Sequence, residues 1–546
     1  MYYKVEGYRA SEKAGKILYE NGITPTYVSD NPVLNSQHVV FEAAKAYGYG
    51  LPYHVALAGV TSAPAELLGM GERIGKIVEG FDADIVVWDS DPLSAGATPV
   101  QVWIDGAPSF KDPVELEKPI APPFTPDLSL GRDLEKSEMK DSVIFTGITN
   151  VHLDSTTKTY SATDKAVAII ANGILSCIGP CSAELAVAQT ANTPTFALKN
   201  GHITPPFTAF GSSLGLVEID AEKDTHDGPP PSDSITRAID GLAFGGKQLT
   251  TAYEHGVTNA ITAPSTGSID AKGVSVGFKT GAKHKLEKGA IWADEVALHY
   301  VLTLTAKGGQ TPSISSVVSQ IRGKLLTAVD DLASNSTTTS TAKKDTYDEK
   351  KYLERVVAGS LPLVFTAHSA DTIASIISLK SEIETARTAL PASATTSKLN
   401  IIILGGAESH LLAPEIASAK ISVVLAPLLP HAQTWDQRRG LTGAPLTNGT
   451  AIDALLAAGV LVGIGVEELW ETRDLGLLAG IAFANSGGKL TFKEALDLAG
   501  GNFAEMLGTG KESGDVEDWV VWEGSPLEIG GRVRAVRGVG SVVVWD

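Results

Sequence analysis

Residues 58–93 read AGVTSAPAELLGMGERIGKIVEGFDADIVVWDSDPL, and residues 499–527 read AGGNFAEMLGTGKESGDVEDWVVWEGSPL. Asp84-Ile-Val-Val-Trp88 answers Asp518-Trp-Val-Val-Trp522, and a Pro-Leu pair follows each. Upstream, Asn21-Gly-Ile…Val28-Ser-Asp30 answers Ala458-Gly-Val…Gly465-Val-Glu467 without a gap. A repeat of this length fixes the architecture before any local reading does. It implies the tail of one domain, followed by a nearly complete second copy.

A chain of 546 residues exceeds one hydrophobic core, which agrees with more than one domain. Its formal net charge of −19 argues against nucleic acid or an anionic membrane as partner. No stretch approaches the ~20 consecutive apolar residues of a membrane span. The first residues, MYYKVEGYRASEKAG, lack the apolar core of a signal peptide. These features predict a cytoplasmic protein. The only cysteines, Cys177 and Cys181, have no second pair at zinc spacing and read as structural thiols.

Working outward from the repeat, residues 11–20, 36–47 and 53–68 have helical patterns, and 26–29 reads as a short strand delivering Asp30 at its end. Residues 85–88 and 100–104 read as strands. Residues 1–106 are thus the remnant of a first copy, and the Pro-rich, aperiodic stretch 107–140 is a linker. Residues 141–200 are β-rich. Apolar, β-branched runs follow at 257–263, 361–367, 399–404, 421–426 and 460–465, with helical patterns such as 371–390 and 451–458 between them. Buried-strand composition alternating with helices is the mark of a parallel sheet or barrel. The predicted fold class is therefore α/β: a TIM-type (β/α)8 barrel over 201–514, with a small β-sandwich built from 141–200 and 515–546. The Ser/Thr-rich residues 331–348 read as a mobile surface insertion.

The stretch IGKIVEGFDADIVVWDSDPL resembles the C-terminal signature of the amidohydrolase superfamily, in its imidazolonepropionase-like branch. ITPPFTAFGSSLGL at 203–216 resembles that family's first barrel strand, Gly256-Val-Thr258 its GVT motif, and GSLPLVFTAHSAD at 359–371 the segment around a metal-binding histidine. The two-copy layout is similar to that of fungal amidohydrolase-related proteins. The resemblance implies a metal-dependent hydrolase acting on non-peptide carbon–nitrogen bonds of a small-molecule substrate. It implies a divalent metal, zinc above all, that activates water at the C-terminal mouth of the barrel. It implies neither nucleic acid nor membrane as partner and leaves a homo-oligomer open.

Carried over residue by residue, the resemblance puts Gly211 and Ser213 at the positions of the family's His-x-His pair. His368 stands at the next histidine position. Glu408 and His410 are the nearest candidates for the one after, and Glu467 replaces the last-strand aspartate. In the first copy Asp30 keeps that aspartate, the general base of the reaction. Each residue also has a purely structural reading: His368 as a hydrogen-bonded core imidazole, Glu467 as an acid at a helix start, Asp30 as a turn or N-cap residue, and His410 and His431 as core or surface histidines. The competing function is a catalytically degenerate barrel with a binding or scaffold role.

Overall fold

The computed structural model describes residues 3–31, 33–119, 137–228, 235–264, 271–304, 307, 313–335, 348–395, 397–509 and 518–545. It is a mixed α/β fold. The N-terminal segment carries helices Ala14–Glu20, Val39–Gly48, Tyr53–Ala58 and Ser62–Leu67, then an antiparallel sheet of β1 (Ile85–Trp88), β2 (Pro99–Ile104) and β3 (Ala107–Pro108). The helical pattern predicted over 53–68 is cut in two between these helices, and Pro64 falls in the first turn of the second, where its missing N–H costs nothing. The predicted strand at 26–29 is not formed. Among the described residues it has no neighbour to pair with, and extended chain without a ladder is not a strand.

Next come β4 (Ser137–Met139), β5 (Val143–His152), β6 (Thr157–Thr159), β7 (Val167–Ala171), β8 (Ile174–Gly179) and β9 (Thr195–Thr204). The central strands are β10 (Phe207–Phe210), β11 (Val257–Thr262), β12 (Ala271–Val274), β13 (Val276–Lys279), β14 (Ile291–Ala293), β15 (Leu298–Val301), β16 (Leu363–Ala367), β17 (Ile401–Gly405), β18 (Ser422–Leu425) and β19 (Val462–Ile464). The chain ends in β20 (Val520–Glu523), β21 (Arg532–Gly538) and β22 (Ser541–Trp545).

The central strands curl into a barrel-type sheet. β10 pairs parallel with β11, and β15 through β19 pair parallel in succession. Between these two groups, β13 runs antiparallel to β11 and β12 antiparallel to β15, with Ser275 between them bonded to Val296 and Ala297. Here the structure departs from the uniform (β/α)8 expectation. The residues between β11 and β12 fall short of the dozen or more that a parallel crossover needs, so the chain turns straight back. The two ends of the curl meet where the Val466 N–H donates to the Phe210 carbonyl at 2.9 Å. Successive residues of each strand face opposite sides. Phe210, Ile261, Val364, Ile402, Leu404 and Val424 pack inside the curl, over Phe503, Met506 and Leu507 of the helix Gly501–Leu507. Their neighbours Phe365, Ile401, Ile403 and Val423 pack outward on the helices. Burial on both faces is why these strands read as unbroken apolar runs.

Strands from both flanks of the central region share one nine-stranded sheet, ordered β4-β22-β21-β20-β9-β5-β7-β8, with β6 on β5. The pairing is continuous from one flank to the other, and both flanks contribute to one buried core that includes Phe145, Ile203, Trp519 and Val544. The ten-residue strand β9 takes β5 on one side and β20 on the other, which leaves no break between the two contributions. Trp522 packs this sheet on the central strands, its ring 5.9 Å from that of Phe207 on β10, while its Nε1 donates to Thr204 Oγ1 of β9 at 2.9 Å. A disulfide joins Cys177 and Cys181, which correction follows from a left-handed residue at Cys181 that folds the chain back at the end of β8. Residues 331–335 belong to the helix Ile314–Asn335 rather than to a loop, and 336–347, most of the predicted insertion, lie outside the described residues, as do 120–136 of the predicted linker.

The N-terminal segment is fastened to the rest by polar contacts. Lys45 pairs with Asp474 at 3.3 Å, Arg473 with Glu12 at 3.0 Å, and the Tyr49 hydroxyl meets His255 Nε2 at 3.0 Å. Phe503 is the keystone under the curl, 2% exposed and edge-on to Phe210 at 5.6 Å. Truncating it leaves a cavity that the rigid strands cannot fill. Phe503→Ala is expected to lower unfolding stability by about 3–5 kcal/mol, read from urea denaturation.

Candidate functional site

The C-terminal ends of the parallel strands form one rim, and Gly211, Ser213, His368, Glu408 and Glu467 all follow directly on them. Gly211 has φ +120°, and a Cβ there would lie 2.5 Å from the Val466 carbonyl oxygen. Only glycine fits that position, so no metal-binding side chain can stand on it. Ser213 opens a turn: its carbonyl accepts the Leu216 and Val217 N–H groups at 2.9 and 3.0 Å.

His368 is buried at the end of β16, against Gly405, where a Cβ would come within 2.7 Å of its ring. Its Nδ1 has no hydrogen-bond partner. Burial pushes the imidazole below its ordinary range, opposed by Asp436 and Glu408 nearby, so the ring is neutral at pH 7. Asp436 is itself buried and accepts from the Leu304 N–H at 3.1 Å and from the Thr434 hydroxyl.

Glu408 is fully buried and engaged on every side. It accepts the Ala370 N–H at 2.9 Å, at the start of the helix Ala370–Arg387, and the Arg439 N–H at 3.1 Å and guanidinium at 2.6 Å. Burial pushes its carboxyl up, but the bonds from Arg439 and Ala370 outweigh that and hold it below the usual range. Its work is to tie the β17 loop to a helix start and to the Arg439 loop. As a metal-ligand candidate it is corrected by this geometry, because its oxygens are already spent on charge-assisted bonds. His410 lies in the short 3-10 turn Ser409–Leu412, where burial lowers its pKa against the Ala407 backbone.

Glu467 is exposed at the end of β19, and its N–H donates to Glu471 Oε2 at 2.7 Å. Glu471 caps the following 3-10 turn; burial pushes its carboxyl up to about 7 against the two backbone bonds it accepts. Asp30 is exposed and left-handed (φ 52°), its carbonyl accepting the Val33 N–H at 2.9 Å. The loop after it reaches the rim. Leu34, Asn35 and His38 line a cavity of about 120 Å³ with His431, Glu467 and Glu471, but Asp30 does not line it. Burial, helped by His431, lowers His38 to about 4.

His299 was not found by sequence reading. It is buried on β15, its Nε2 2.9 Å from Ser275 Oγ and its ring edge-on to Phe210 at 6.1 Å. No spacing partner marks it, and only the register of β15 against β12 could have found it. Among the described residues, no three His, Cys, Asp or Glu side chains stand together as a metal ion requires. The donor set therefore does not fit the divalent metal that the resemblance implies.

The sequence profile of the amidohydrolase family matches residues 46–110. Amidohydrolase tasK of Hapsidospora irregularis is 46% identical over 539 residues, covering 94% of this chain. The chain belongs to the amidohydrolase superfamily. It spans 54% of that relative's length. A crystal structure of an amidohydrolase from Thermotoga maritima aligns with 73% of this chain and 98% of its own chain, with a TM-score of 0.56 and 20% identity, a likeness of fold. No helix among the described residues is long and apolar enough to cross a membrane.

Glu408 offers a direct check of the rim's electrostatics. Its folded pKa lies below the unfolded value, so its stabilisation is complete above about pH 4.3 and is lost as pH falls through the folded value. Glu408→Gln is expected to unfold at lower urea than the parent at pH 7. The gap should narrow as pH drops below about 4.3, measured as paired urea midpoints from pH 7 to 3.

Proposed function

We propose that residues 201–509 form an amidohydrolase-type barrel with a ligand-binding or scaffold role, within a protein whose reaction class is hydrolysis of non-peptide carbon–nitrogen bonds in small molecules. The observation that carries the first part is Gly211. Its left-handed backbone beneath the Val466 carbonyl excludes the first histidine of the family's metal pair. Ser213 and the arginine-bound Glu408 remove two further ligands. First-shell losses on this scale cost more than the 10–100-fold in affinity that follows from losing outer partners alone.

The second part is supported by the 46% identity to a relative named as an amidohydrolase. In this reading Asp30, which keeps the family's last-strand carboxylate, is the general-base candidate, and it awaits a barrel to hold it. His368, buried, neutral and with one ring nitrogen unengaged, is the group at the rim of residues 201–509 best suited to hydrogen-bond a small ligand. Glu467, exposed at the same rim, would face solvent or ligand without serving as a metal base.

Elemental analysis of the purified protein, joined to hydrolysis assays on amides, cyclic ureides and N-acetyl sugars, tests this reading. The expected result is well under one zinc or other divalent ion per chain and a melting temperature indifferent to chelator. A full equivalent of metal whose removal abolishes turnover would overturn it.

A further inference from the structure

Most of the large apolar side chains left exposed lie in the first 110 residues, among them Val28, Leu67, Leu68, Ile77 and Ile104. The repeat shows what covers their counterparts. Val86 and Val87 of β1 align with Val520 and Val521 of β20. The first pair is 44% and 43% exposed, while the second is 0% exposed. β20 lies between β21 and β9, whereas among the described residues β1 pairs only with β2. Among the described residues, no strand pairs with the edge of β1 that corresponds to the β9 side of β20.

A second element departs in the same way. Ala65-Glu-Leu-Leu-Gly69 aligns with Ala504-Glu-Met-Leu-Gly508. Met506 and Leu507, 2% and 5% exposed, plug the central curl with Phe503. Leu67 and Leu68, at the end of the helix Ser62–Leu67, are 67% and 75% exposed. A strand edge and a plug that serve a barrel in one copy stand without one in the other.

We propose that the open edge of β1, with Leu67 and Leu68, is the docking surface for a second amidohydrolase-type barrel, borne on polypeptide outside residues 1–546. Its strand equivalent to β9 adds to β1 as an antiparallel neighbour, and its underside closes over the two leucines. The same chemistry covers the counterpart residues here: backbone pairing for the edge and apolar burial for the plug. This chain's own barrel is unsuited to the role in a second copy, because its β9 edge is taken by β20 and its underside by Phe503, Met506 and Leu507. The relative's greater length, of which this chain spans 54%, leaves room for such a barrel.

Hydrogen exchange on the intact chain tests the proposal, with a synthetic peptide of the β9 sequence, TFALKNGHIT, as the probe. Amides of Ile85–Trp88 are expected to exchange at least about tenfold faster than those of Val520–Glu523 in the free chain, as an unpaired edge requires. Saturating peptide should slow them by a similar factor, and the same peptide N-methylated at alternate residues should not. Exchange at 85–88 that is unmoved by the peptide, or already slow in a chain that runs as a dimer, overturns the proposal; the dimer would mean that a second copy covers the edge. The double variant L67E/L68E should leave the melting temperature of this chain unchanged. A drop of several degrees would show that the leucines serve this chain's own core, and would overturn the plug assignment.

Discussion

The seam between the first and last strands of the curl governs what this protein can do. Phe210 accepts the Val466 N–H, and for the strands to meet there, both Gly211 and Gly465 must lack side chains. A Cβ on Gly211 strikes the Val466 carbonyl and one on Gly465 the Phe210 carbonyl, each at 2.5–2.7 Å. The contact that closes the sheet therefore excludes any side chain, a metal ligand included, at Gly211.

The rest of the rim is held together by side-chain bonds to the backbone. Carboxylates remain, but they act as structural fasteners. Glu408 joins a strand loop to a helix start and an arginine; Asp436 holds the Leu304 backbone; Glu471 caps a 3-10 turn. Glu408 is fully buried and its oxygens are satisfied by the Ala370 N–H and Arg439, so it carries the high cost of removal that attaches to a satisfied buried charge. His368 is the exception, because burial keeps it neutral and no neighbour engages its Nδ1.

The sequence was most legible where physics is local. The runs at 257–263, 361–367, 399–404, 421–426 and 460–465 each match an observed strand to within two residues at either end, because burial on both faces leaves a continuous apolar mark. It was least legible where pairing decides. β12 to β15 were not read, since Gly273 and Gly277 interrupt the pattern and the strands are only three or four residues long. Residues 26–29 have the composition of β19's counterpart but no strand to pair with. Glu408 looked like a ligand because its partner, Arg439, lies 31 residues away and leaves no local trace. The cysteine pair resisted reading for a similar reason: only the left-handed turn at Cys181 brings the two Cα atoms to 6.1 Å.

The direct return from β11 into β12 has a consequence for diversification. In a uniform (β/α)8 barrel, each strand ends in its own loop at the catalytic face, and each loop can vary alone. Here one of the strands around the curl runs the other way, so one connection joins β11 to β12 where two strands of a uniform barrel would each end in a loop of their own. The mouth has one fewer independently adjustable wall, and a new ligand preference would have to arise from the remaining loops, chiefly those after β16 to β19, where His368, His431 and Glu467 stand.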